Sequence, residues 1–201
     1  MSAGAPSLVV LACGALAREL TAIVGLNHLD GVRITCLPAK LHNRPQLIPE
    51  LVRRKIQRIR DEQPGVPVFC AYGDCGTGGE LDRVLADEKV ERLPGAHCYA
   101  FYAGLEAFER LHDEEPGTLY LTDYLARHFD TLIVKGLGLD RHPHLFDDYF
   151  RHYRRVVWLA QAPTADLKAR AEKAAAFLDM PLVIRDTGYG LLERELLVRA
   201  A

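Results

Sequence analysis

Five cysteines are the residues of this 201-residue chain with the widest chemical reach. Cys13, Cys75 and Cys98 sit beside glycines or polar residues (LACGA, GDCGT, AHCY), where a chain turns, whereas Cys36 and Cys70 lie inside the apolar runs VRITC and VPVFC. A thiolate ligates zinc and iron and is a strong nucleophile, and the free N–H groups of a helix start favour it over the thiol. The three turn cysteines therefore read as site residues. Cys36 and Cys70 read as small apolar fillers, the commoner fate of a buried cysteine. His42, in LPAKLHNRP, supplies a fourth group. Cys13, His42, Cys75 and Cys98 would suit tetrahedral zinc; three thiolates with an open position would suit catalytic zinc or a site-differentiated iron–sulfur cluster equally well. The ligands span about 85 residues and form no C-x-x-C pair, so their meaning depends on the fold that gathers them.

Other groups bear on the same chemistry. Gly73, Gly76 and Gly78 in GDCGTGG let a backbone approach closely whatever Cys75 holds, and the loop is neither a Walker A sequence nor a G-x-G-x-x-G fingerprint. A lone nucleophilic Cys75 with His42 or His97 as base is a further arrangement, and it needs spatial adjacency. Asp140, Arg141 and His142 follow the glycine turn Gly136 to Gly138; Arg141 could grip a carboxylate or phosphate and His142 could move protons near neutral pH, against the plainer reading of a local salt bridge and a loop histidine. His144, Asp148 and His152 share one helical face and read as a solvated surface. Tyr189 in DTGYG lines a pocket or ends a turn, and the aromatics at 99, 101, 102 and 108 read as helix core.

The elements that must position these groups alternate from end to end. SLVVLA, GVRITCL, VPVFCAY, DTLIVKGL, RVVWLAQ and PLVIRD read as strands, with helical patterns over 15–24, 45–62, 79–87, 100–112, 121–128, 144–153 and 164–178. Continuous apolarity in LVVLA and VPVFCA predicts strands buried on both faces, hence a three-layer α/β architecture with a mostly parallel sheet and helices on both faces. One domain over 1–201 is the expected count, with two similar lobes, 1–115 and 116–201, as the alternative division at the loop Asp113 to Leu119. LVVLACGALAREL and VFCAYGDCGTGGELDRVL echo each other, each running strand, Cys-Gly, helix. In such sheets ligands bind beyond the carboxyl ends of the strands, and the turn cysteines fall there.

The combination LACGALARE, LPAKLHNRPQLIPE, AYGDCGTGG, CYAFYAG, PGTLYLTDYLARHFD, GLGLDRHPHL and DTGYGLLE resembles, over nearly the whole chain, the uncharacterised family known as domain of unknown function 1638. The resemblance implies that Cys13, His42, Cys75 and Cys98 carry the family's activity. Where many members have His-Asp-Cys this chain has Ala96-His97-Cys98, so the histidine's role does not pass to His97. It also implies company with corrinoid proteins and their methyltransferases, a small methylated substrate and one-carbon transfer, to which thiolate-bound zinc would contribute as Lewis acid or an iron–sulfur cluster as corrinoid reductant.

Composition sets the outer bounds. With 25 Lys+Arg against 27 Asp+Glu, interspersed, the chain presents no footprint for a phosphate backbone or an anionic membrane. The start MSAGAPSLVVLACG shows no basic n-region and too short an apolar run for export, so a cytoplasmic protein with reduced thiols is expected. Two functional classes follow: a metal-binding enzyme or enzyme subunit in methyl transfer or demethylation, or a non-catalytic partner of a corrinoid methyltransferase complex whose thiols merely pack turns.

Overall fold

The structure is a computed structural model and describes residues 5–200; residues 1–4, part of the start read above for export signals, and residue 201 lie outside the described residues. The chain forms two compact units, one made of the residues up to Phe101 together with those from Tyr189 onward, the other of Tyr102–Gly188. Both are α/β with parallel strands only, as the unbroken apolar runs predict.

In the first unit, β1 (Leu8–Cys13), β2 (Val32–Leu37), β3 (Val68–Ala71) and the two-residue β4 (Glu91–Arg92) form a sheet of order β2-β1-β3-β4. β1 is central and its residues from Leu8 to Ala12 are buried, which is why that run shows no alternation. α2 (Ile48–Glu62) and α3 (Glu80–Asp87) pack on the sheet face that carries Leu11 and Cys70, the apolar stripe Ile48, Val52, Ile56 of α2 meeting Leu81 and Leu85 of α3. α1 (Ala17–Leu26) and the last helix, α9 (Gly190–Ala200), belong to the same unit. α9 is fastened there by Asn27 Nδ2 donating to Glu193 Oε1 at 3.0 Å, by Arg199 paired with Glu91 at 3.0 Å, and by the Arg199 guanidinium stacked 4.1 Å over the Phe69 ring.

In the second unit, β5 (Thr118–Leu121), β6 (Arg155–Ala160) and β7 (Leu182–Asp186) pair in the order β5-β6-β7. On one face α6 (Asp123–Phe129), α7 (Phe146–Phe150) and α8 (Ala165–Phe177) enclose Trp158, Val156, Phe129, Leu167 and Ala171. α4 (Tyr99–Ala103) and α5 (Leu105–Glu114) are separated by Gly104, at φ +83°. α5 is tied to this unit by Arg155 Nη2, which donates to Leu111 O at 2.8 Å, and by the Phe108 and Tyr120 rings, 4.9 Å apart. α5 is thus bound to β5 and β6 across the loop 113–119, and the two compact units divide after Phe101 and again before Tyr189. Thr164 caps α8 as its sequence suggests, its Oγ1 accepting from Leu167 N at 3.2 Å.

Two expectations are corrected. TLYL, read as loop and helix start, is β5, paired in register with Arg155–Trp158. DTLIVKGL, read as a strand, is helical: Asp130–Val134 continues α6 as a π-helical turn, Lys135 N donating to Asp130 O at 2.9 Å. Its apolar residues Ile133, Val134 and Leu137 pack against the core cluster of Trp158, Phe129 and Leu167. Among the described residues no helix is long and apolar enough to cross a membrane.

Candidate functional site

The first unit gathers the turn cysteines, and the register explains how. Leu11 of β1 pairs with Cys70 of β3 and Ala12 with Ala71, so the next pair along is Cys13 beside Tyr72. Alternation puts Leu11, Cys13, Cys70 and Tyr72 on the α2/α3 face, where Cys13 and Cys75 pack against the core they share with Tyr72. Cys36, in register with Ala12, faces the other way on an edge strand and is half-buried, whereas Cys70 is fully buried.

Two glycines allow the loops to meet. A Cβ on Gly14 would lie 3.1 Å from Leu37 O and 3.2 Å from Ala39 N, so its absence lets the turn after Cys13 press on the exit of β2. That exit runs into the 3-10 segment Ala39–Asn43, which carries His42. A Cβ on Gly73 would lie 3.2 Å from Ala96 O and from the backbone of His97. The Gly73 loop and the loop of Cys98 are instead stitched together, Asp74 N donating to Gly95 O at 3.2 Å and Cys75 N to Ala96 O at 2.8 Å. A Cβ on Gly76 would lie 3.6 Å from the Pro45 ring. Chain segments around 13, 42, 75 and 98 thus converge on the carboxyl ends of β1 and β3, where α/β sheets bind ligands.

Cys75 occupies the left-handed region at φ +51°, a conformation that costs an ordinary residue roughly 1–2 kcal/mol. Asp74 holds the loop in that shape: its carboxylate accepts from Thr77 Oγ1 at 2.6 Å, Gly79 N at 2.9 Å and Gly78 N at 3.2 Å. These donors, Thr77 foremost, keep the Asp74 carboxyl below the usual carboxylate range.

Cys13 and Cys75 act electrostatically on Cys98, and Cys13 acts on Cys75. Burial raises Cys98 most, and Cys75 and Cys13 raise it further. Burial and then Cys13 push Cys75 up to about 11. Cys13 is raised by burial, partly offset by the Ala15 N–H and the Tyr72 hydroxyl. All three are protonated at neutral pH as they stand, so none is an activated nucleophile. Tyr72 is 2% exposed, and its hydroxyl has no oxygen or nitrogen partner among the described residues; its neighbours are the thiols of Cys13, Cys70 and Cys75. Burial and then His97 lower the pKa of His42, which keeps its imidazole neutral with a lone pair free. Among the described residues no group of three or more His, Cys, Asp or Glu side chains stands close enough to hold a metal ion.

Gly73, Gly76 and Gly78 lie in this same loop, the last two at positive φ. Asp140, Arg141 and His142 belong to the other unit and are exposed. With DTLIV helical they follow a turn rather than a strand end; Arg141 Nε lies 3.8 Å from Asp140, and the His142 and His144 rings are 5.8 Å apart. Tyr72 is the site residue that sequence reasoning missed; its signal was the two-residue step from Cys70 toward the strand end.

The chain matches, over residues 36–196, the model of a family described as Protein of unknown function (DUF1638). The matched span includes His42, Cys75 and Cys98 and begins after Cys13. No curated protein matches the chain. No solved structure matches it.

Proposed function

The chain belongs to the DUF1638 family, and from that premise we propose that it is a thiolate-metal protein, an enzyme or enzyme subunit, of corrinoid-linked methyl transfer or demethylation in the cytoplasm. Cys13, Cys75 and Cys98 would bind zinc or an iron–sulfur cluster, with His42 as a further ligand or as a substrate contact. The observation that carries this reading is that the loops of Cys13, Cys75 and Cys98 converge on the carboxyl ends of β1 and β3, the last two tied by Asp74 N to Gly95 O and Cys75 N to Ala96 O, beside a buried Tyr72 hydroxyl that lacks an oxygen or nitrogen partner among the described residues. A soft cation would displace the thiol protons and draw the resulting thiolates together.

When bound, such a centre would supply a Lewis acid or an electron carrier. The chain's own residues do the rest. Neutral His42 can donate its lone pair or take a proton, Tyr72 can donate its hydroxyl hydrogen to a thiolate, and the Asp74-braced loop holds Cys75 in place. The corrinoid partner and the small methylated substrate come from the family resemblance.

Anaerobic purification followed by elemental analysis and visible absorbance tests the proposal. Stoichiometric zinc, or brown protein with iron, is expected in the wild type and is lost in Cys75→Ser. Metal-free protein that stays so after reconstitution with zinc and with iron plus sulfide overturns it. Cys13→Ser and Cys75→Ser chains that keep both fold and pathway activity would instead favour a non-catalytic partner protein.

A further inference from the structure

We draw no further inference here: the strongest candidate, the sheet edge that β7 forms in the second unit, where the apolar side chain of Ile184 stands exposed, carries nothing because no feature of the structure shows what covers it.

Discussion

The strand ends of the two units solve the same problem in opposite ways. In the second unit a buried carboxylate closes the end of β5 and β6: Asp123, 1% exposed, accepts from Trp158 Nε1 at 3.0 Å, Gln161 N at 3.2 Å and Ala162 N at 2.8 Å, and its own N–H donates to Gln161 Oε1 at 2.8 Å. Nearly every polar atom there has a partner. In the first unit the equivalent edge holds half-buried thiols, a buried phenol without an oxygen or nitrogen partner among the described residues, and a cysteine at positive φ. A satisfied strand end is a structural lock; one left with unmet polar groups and backbone strain is arranged for something else to complete it.

Substitutions at the two edges should separate these roles. The largest stability loss is expected for Asp123→Ala, which leaves two buried donors and one half-buried donor without their carboxylate and should cost about 4 kcal/mol in urea unfolding, with metal content per folded molecule unchanged. Gly73→Ala forces a Cβ against the backbone of 96–97 and should cost about 2 kcal/mol, and it should also lower metal content, because it parts the loops of Cys75 and Cys98. Cys75→Gly should behave in the opposite sense, raising the stability of metal-free protein by up to ~1 kcal/mol as the left-handed strain is relieved, while abolishing metal binding. A retained metal in that variant would sink the contrast between the edges.

The smallest effect concerns acid. Asp74 is depressed in the folded state from its ordinary value of 3.8, so its contribution to stability is present above that value and is lost as pH falls below it, through the folded pKa. Asp74→Asn should flatten the acid limb of the stability curve by roughly 1 kcal/mol and leave the rest of the profile parallel to wild type.

How much of this was legible depends on range. β1, β3 and β6 announce themselves because buried parallel strands need unbroken apolar runs, and Thr164 announces α8 because capping is a local affair. TLYL and DTLIV exchanged roles because both are short and apolar; only pairing with Arg155–Trp158, a distant contact, decides which becomes the strand. At the site, Cys13, Cys75 and Cys98 were legible from glycine turns and from the rule that strand ends bind ligands. Tyr72 was not, since its place beside Cys13 follows from strand register, and the need for Gly73 follows from a loop more than twenty residues away. Asp140, Arg141 and His142 were assigned to a strand end that does not form, so the spatial argument for them went with the strand.

The closing of the first unit by α9 also orders events during synthesis. Asn27, Phe69 and Glu91 receive their α9 partners only after the whole of Tyr102–Gly188 has left the ribosome. A nascent chain must therefore carry an unfinished first unit while the intervening one emerges, and that interval is when it most needs shielding from its neighbours.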